Sequence, residues 1–248
     1  MLTIPKITGL RKSSILKGIG VMVKIHKLLP KSIKRQIYWT VSMPVKKYEE
    51  KNAIELEAML PKISLEEKHM RNLKVLTDKA TFLNVLPKGA IGAEIGVAQG
   101  NYTEKILSVT QPQKLHLIDA WTQKQYAGLR ESVENRFNSE IKDGQVFLHQ
   151  GFSINELEKF DDRYFDWVYI DTDHSYNTTT KELDLCRRKV KVGGIIAGHD
   201  YTVGAWIPKV RYGVIEAVNE FCHKYNWEMI FLTNEYHRNL SFALKEIV

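Results

Sequence analysis

From Ala90 to Lys245 the chain alternates short apolar runs with longer amphipathic ones, and few folds satisfy that alternation. The runs Ala90–Val97, Lys114–Asp119, Val146–His149, Trp167–Asp171 and Gly194–Gly198 read as strands. Asn101–Val109, Ala127–Ile141, Ile154–Phe160, Tyr176–Val190 and Lys209–Tyr225 read as helices. Two more strands, Trp227–Leu232 and Leu240–Lys245, follow with no helix between them. Five βα units and a closing hairpin predict an α/β fold. Its sheet is doubly wound, mostly parallel and seven-stranded, with an antiparallel last strand.

The residues before this region read differently. Met1 to Tyr48 holds eleven Lys and Arg and no Asp or Glu, so the net charge of +7 belongs to this arm. Ser13–Leu29 forms a basic amphipathic helix on a helical wheel: Ile15, Leu16, Ile19, Met22, Val23 and Leu29 share one side, and Lys17, Lys24 and Lys27 the other. Pro30 stops it, and Lys31–Trp39 can start another turn. Tyr48–Leu60 is charged and helical in pattern, and Pro61 ends it. Residues 1–60 are thus expected to be a basic helical arm, and residues 61–248 the main domain, with the sheet core from about 87. Ser64 and Glu67 read as a capping box opening a helix to about Val85. Three fates suit the arm: packing on the main domain, lying on an anionic membrane surface, or contacting nucleic acid phosphates. Tyr38 and Trp39 suit either a core or a membrane interface. The two cysteines, Cys186 and Cys222, have no metal-type spacing and read as buried thiols in a reducing compartment. No run is long enough to span a bilayer or serve as a signal sequence. The expectation is a cytoplasmic protein, with the arm peripheral at the inner face of a membrane in one of its three fates.

Ligands on a parallel sheet bind at the carboxyl ends of its strands. The first strand there runs into AEIGVAQG, a glycine turn that opens a helix at Asn101, with Glu94, Gly96 and Gly100 around it. This gives the sheet a Rossmann-like nucleotide turn. The second strand ends in Asp119, nineteen residues beyond Gly100, near the spacing at which an acid meets ribose hydroxyls. A helix cap or turn explains Asp119 as well. The third strand leads to Gly151 and Ser153, beside the adenine if Asp119 holds the ribose; Ser153 also reads as a helix cap. The fourth leads to Asp171-Thr172-Asp173-His174-Ser175-Tyr176, and the fifth to His199-Asp200-Tyr201. Two acid and imidazole clusters thus meet at neighbouring strand ends. Carboxylates with imidazole suit a hard divalent ion such as Mg2+ or Mn2+. A group left over serves as a general base.

Together these segments resemble class I S-adenosylmethionine (SAM) dependent methyltransferases from about Pro87 to Val248. AEIGVAQGNYTEKIL is similar to the family's first motif and LHLIDAW to its acidic second. FDWVYIDTDHSY, KVGGIIAGHDY and YGVIEAVNEF resemble later motifs of methyltransferase family 24, the small-molecule and sugar O-methyltransferase branch. The resemblance implies SAM as cofactor, with Glu94, Gly96 and Gly100 at its methionine portion, Asp119 on the ribose, and Gly151 and Ser153 bordering the adenine. It implies Asp171 and Asp200 as metal ligands and Asp173 as base. The branch's acid pair is His199-Asp200 here, so His199 is either a third ligand or the base of a metal-free enzyme. His174 is a further base candidate. The implied reaction is methyl transfer to a hydroxyl of a small or glycan-type acceptor, with a divalent metal as an assistant in some members.

Two other readings compete. A nucleic-acid methyltransferase would use the basic arm, but base-modifying enzymes usually carry an Asn/Asp-Pro-Pro-aromatic segment where DTDHSY stands. An NAD-dependent Rossmann oxidoreductase would use the glycine turn, but G-x-x-x-G replaces its usual G-x-G-x-x-G. A homo-oligomer is left open by the sequence. For the arm, the membrane reading expects binding to anionic vesicles that disappears on deletion of residues 1–48; unchanged binding of the truncated chain contradicts it.

Overall fold

The computed structural model describes residues 30–122, 128–205, 210–235 and 239–247. The expected helix Ser13–Leu29 lies outside them. The chain divides into two compact units, Met1–Met59 and Leu60–Val248.

In the first unit, helix α1 (Lys31–Ile37) passes through a π-helical turn, Tyr38–Ser42, into α2 (Met43–Met59). The turn has local causes. Pro44 has no N–H to continue the ladder, and the Thr40 hydroxyl donates to the Gln36 carbonyl at 2.8 Å. The helix ends before Pro61, whose ring disfavours helical geometry at Leu60. Trp39 is half exposed. No described helix is long and apolar enough to cross a membrane.

The second unit is an eight-stranded sheet with helices on both faces. Its strands are β1 (Lys74–Leu76), β2 (Ile91–Ile95), β3 (Lys114–Asp119), β4 (Val146–Gln150), β5 (Phe165–Ile170), β6 (Val190–Gly198), β9 (Trp227–Thr233) and β10 (Phe242–Glu246). Their order is β1-β9-β10-β6-β5-β2-β3-β4. All pairs are parallel except those of β10 with β6 and β9. The antiparallel last strand is therefore as expected. A small hairpin of β7 (Gly204–Ala205) and β8 (Val210–Arg211) lies outside the sheet.

Strand periodicity sorts the core into two layers. On one face Ala93, Ile95, Val168, Ile170 and Ile196 pack with Leu157, Leu183, Val218 and Phe221. Those partners come from α7 (Ser153–Glu158), α8 (Tyr176–Lys189) and α9 (Val214–Tyr225). On the other face Leu115, Leu117, Trp167, Tyr169 and Ala197 pack with Phe82, Ile106, Val133 and Phe137. Here the covering helices are α3 (Lys79–Leu83), α4 (Asn101–Thr110) and α5 (Leu129–Arg136), followed by the short α6 (Asn138–Lys142). Cys186 and Cys222 are both buried and free, within the first layer.

Three expectations are corrected. The sheet has eight strands, because Lys74–Leu76 pairs in parallel with Phe231–Thr233. The helix expected from Ser64 to about Val85 is a 3-10 turn at Glu67–His69, then β1, then α3. Glu66 and His69 close the turn reciprocally, so the cap falls two residues later than Ser64. Asn72 then bonds Glu228 at 2.9 Å, which ties the chain to the β9 edge, and Asp78 caps α3. The helix expected from Lys209 begins at Val214, with β8 before it.

One buried cluster makes stability depend on pH. His116 Nδ1 lies 2.9 Å from His149 Nε2, and His116 Nε2 lies 3.1 Å from Tyr164 Oη, among Phe147, Phe160 and Phe165. Burial, with the neighbouring His149, pushes His116 down to about 4. The unfolded chain takes up this proton near the ordinary histidine value, and the folded protein does not. This contribution is complete above that value and falls as pH drops toward 4. The urea midpoint is expected to decrease from pH 7 to pH 5 more steeply in the wild type than in His116→Phe. Equal slopes contradict the assignment.

Candidate active site

The chain leaves β2 toward β3 and β4, then returns to β5 on the other side of β2. That reversal opens a crevice between the carboxyl ends of β2 and β5. A cavity of about 290 Å³ lies there, lined by Gly96, Asp119, Trp121, Phe152, Ser153 and Asp171 among others.

The turn after β2 is tightly constrained. Gly96 has φ +89°, and a Cβ there would stand 1.9 Å from the Asp171 carbonyl oxygen. No side chain fits, so the turn can pass this close to the β5 end only with glycine. Gly100 caps α4 at φ +73°, with the Phe137 ring 2.8 Å from where its Cβ would be. Asp119 reaches back across the crevice. Its Oδ2 accepts the N–H of Val97 and of Ala98, both at 2.9 Å, and its Oδ1 accepts that of Trp121 at 2.8 Å. A carboxylate has about four acceptor positions, so three backbone bonds leave one for a ligand hydroxyl. The turn-forming and ligand-binding readings of Asp119 are therefore compatible. Trp121, at φ +43°, donates from its indole to the Ala98 carbonyl at 3.0 Å and closes the same side.

The other expected cofactor residues separate. Ser153 lines the cavity as the first residue of α7. Glu94 does not line it. It is buried beneath the turn, accepts the Thr103 hydroxyl at 2.5 Å, and burial pushes its carboxyl up to about 8. Gly100 and Gly151 shape the turns behind the lining. Phe152, largely exposed at the cavity rim, was not expected; a single aromatic after a strand carries no motif.

A charged cluster adjoins the cavity through Asp171. His174 sits in left-handed backbone at φ +62°, its carbonyl accepting the Gly213 N–H at 2.9 Å and its ring 4.7 Å from that of Tyr212. Its Nε2 is 2.6 Å from Asp200 Oδ2 and 3.2 Å from Asp171 Oδ1. Lys79 Nζ approaches Asp171 Oδ2 at 3.2 Å and stands 3.9 Å over the Tyr102 ring. Asn239 donates to Asp200 Oδ1. Burial works to lower His174, but its bonds to Asp171 and Asp200 outweigh that and raise it to about 9. Burial works to raise Asp171, but the His174 bond and the Lys79 charge hold it down to about 2. His174 thus bridges two carboxylates, and both raise its affinity for a proton.

His199 lies apart from that bridge. Its Nδ1 is 3.1 Å from Ser241 Oγ, which is 3.0 Å from Tyr169 Oη, and its Nε2 is 4.0 Å from Asp200 Oδ1. Burial, then Lys79, lowers its affinity for a proton. Asp173 is exposed and ties down the start of α8: Ser175 N donates to Oδ1 at 2.9 Å and the Thr178 hydroxyl to Oδ2 at 2.8 Å. Lys79 was not singled out in the sequence; it stands in a short helix with no motif around it and is placed only by packing.

The metal expected from the resemblance meets a prior occupant. Ligand atoms of Asp171, His174 and Asp200 lie within 4.8 Å of one another, a donor set of suitable type. Yet His174 already joins the two carboxylates, and Lys79 pairs with one of them. His199, expected as a ligand, points its Nδ1 to Ser241 and is not in the set. Asp171, His174 and Asp200 are thus the group among the described residues that could hold a divalent ion, and the His174 bridge and Lys79 compete for the same carboxylate oxygens.

The doubly wound, mostly parallel sheet with its antiparallel last strand, a glycine turn and an acid at the next strand end make a Rossmann-like α/β domain with its crevice at the strand ends. Residues 93–201, less than half of the chain, match the family 24 model described as a methyltransferase domain. A putative rRNA-methylase from Clostridium thermocellum superposes with a TM-score of 0.52 at 17% identity, covering 70% of this chain and 99% of that one. The trans-methyltransferase CalH, in complex with SAH, gives 0.51 at 11%, covering 68% and 55%. The B. subtilis tRNA methyltransferase TrmK gives 0.51 at 12%, covering 69% and 67%. The chain spans only 42% and 51% of the length of two further structures that it matches. At these identities the likeness is one of fold. No curated protein sequence matches the chain.

Replacing Asp119 removes a charge-assisted anchor for both the turn and the ligand. Asp119→Ala is expected to weaken S-adenosylhomocysteine binding by roughly ten- to a hundredfold, the worth of one charged hydrogen bond. Calorimetric affinity within twofold of the wild type contradicts the site.

Proposed function

We propose that the protein transfers the methyl group of SAM to a hydroxyl of a small or glycan-type acceptor, and that it does so with its own charges in place of a metal ion. The observation that carries this reading is geometric: His199, with Nδ1 3.1 Å from Ser241 Oγ, stands beside the bridge that His174 makes between Asp171 and Asp200. A hydroxyl must lose its proton as it attacks, so the site needs a base and a positive field together.

SAM supplies a methyl group already activated on its sulfonium. Asp119 and the Gly96 turn would hold the cofactor's ribose end, and the backbone from Gly96 to Gly100 would face its amino-acid end. In the tautomer whose Nδ1–H donates to Ser241, the basic lone pair of His199 is on Nε2. That nitrogen takes the acceptor's proton. His174 and Lys79 stabilise the negative charge that develops on the acceptor oxygen, and Asp171 and Asp200 hold those two cations in place. The enzyme's task is otherwise alignment, which alone can supply several kcal/mol of the barrier. Asp173 contributes by fixing the start of α8 rather than by taking the proton.

The acceptor class comes from the resemblance of the DTDHSY and GHDY segments to sugar and small-molecule O-methyltransferases. The second reading, a nucleic-acid methyltransferase, draws on the basic arm. It is disfavoured by the charged DTDH segment where a base would need flat, neutral walls.

His199→Ala is expected to lower kcat by about a hundredfold or more, the usual range for a general base, with S-adenosylhomocysteine affinity unchanged. Asp173→Asn should keep most of its turnover. The reverse pattern moves the base to Asp173. Turnover should persist in EDTA; its loss, with recovery on adding Mg2+, contradicts the metal-free mechanism.

A further inference from the structure

The opposite edge of the sheet carries a second polar cleft. β5, β6 and β9 begin there, and β10 ends there. Six residues of strand, roughly 20 Å, separate the start of β5 from the catalytic end. The cleft holds about 230 Å³ and is lined by four basic residues, Arg163, Arg187, Arg188 and Lys191, and two acidic ones, Asp162 and Glu246, with Val192 and Trp227.

Its charges are unequally spent. Asp162 is bound by Lys189 at 2.8 Å, and Lys191 is bound to Asp166 at 2.7 Å. Arg163, Arg187 and Arg188 have no carboxylate partner among the described residues. Arg187 stands over the Tyr225 ring, its guanidinium carbon 4.1 Å from the centroid. Arg163 stands in left-handed backbone at φ +59°, and its N–H donates to the Arg188 carbonyl at 2.9 Å. That bond holds two guanidinium-bearing segments side by side.

A second observation concerns Trp227. It is 2% exposed, lines this cleft, and its indole N–H has no acceptor. A buried donor without an acceptor costs about 1–3 kcal/mol, so such a group marks a place where an acceptor is missing. The arginines at the end of α8 also complement the helix dipole. That explains Arg187 and Arg188 in part, but not Arg163, which is on another segment, nor the indole. Three full charges also exceed the half charge of a helix end.

We infer that this cleft is a binding site for a phosphate group, either free or as a small phosphomonoester. Guanidinium forks match phosphate oxygens in pairs. Val192, largely exposed, and the Trp227 ring give one apolar wall for the organic part of a monoester. The cleft is too small for more than a phosphoryl group with a modest substituent.

The test is calorimetry on the full chain saturated with S-adenosylhomocysteine, titrated with inorganic phosphate and, separately, with a sugar phosphate, against chloride at equal ionic strength. One saturable site is expected for phosphate. Arg163→Ala/Arg188→Ala should weaken it by about tenfold or more, with S-adenosylhomocysteine affinity unchanged, since both side chains are exposed and remote from the cofactor. Tighter binding of the sugar phosphate identifies the monoester as the form bound, and equal affinity identifies free phosphate. Arg163→Lys/Arg188→Lys should fall between, because the charge remains and the forks are lost. The inference is overturned if phosphate gives no saturable signal beyond chloride, or if the alanine variant binds as the wild type does. It is also overturned if only a single-stranded oligonucleotide binds and that binding is lost in the variant.

Discussion

The close passage of Gly96 over Asp171 is the contact on which the site depends. The turn after β2 and the end of β5 touch with no room for a methyl group, and the Asp171 N–H also donates to the Ile95 carbonyl at 2.7 Å. Asp171 thereby joins the two halves of the crevice. Its backbone meets the cofactor turn, and its side chain meets His174 and Lys79. Any shift of one strand end moves both the cofactor's turn and the charged cluster. This rigidity is the kind of preorganisation that electrostatic catalysis requires.

Charge balance follows from that geometry. A carboxylate pair at a half-buried strand edge needs compensation, since an unpaired buried charge is costly. Here the compensation is covalently part of the chain. His174 is oriented by a left-handed residue and a bond to Gly213, and Lys79 by the packing of α3 and the Tyr102 ring. The cost of ordering these cations is met when the protein folds.

Much of this was legible in the sequence, because the alternation after Ala90 and the motifs at the strand ends are local patterns. The glycine turn, Asp119 and the two acid and imidazole clusters occur where a parallel sheet must place its ligands. What was not legible depends on tertiary contact. The edge strand Lys74–Leu76 is three residues long in a charged segment, and only its pairing with β9 makes it a strand. Lys79 belongs to no motif. His174 and His199 look equivalent in sequence; one left-handed backbone residue turns the first into a bridge between carboxylates, while the second lies beside Ser241. Asp173 sits two residues from Asp171, as a base would, and lines the cavity while each of its oxygens accepts one bond at the start of α8.

The protonation of the two histidines tests the central claim most directly. Side-chain nitrogen NMR of the S-adenosylhomocysteine complex near neutral pH should show His174 with protons on both ring nitrogens and His199 with one, and neither should change on adding Mg2+. A neutral His174, or one whose signals shift as Mg2+ is added, would show that a metal ion and not the imidazolium lies between Asp171 and Asp200.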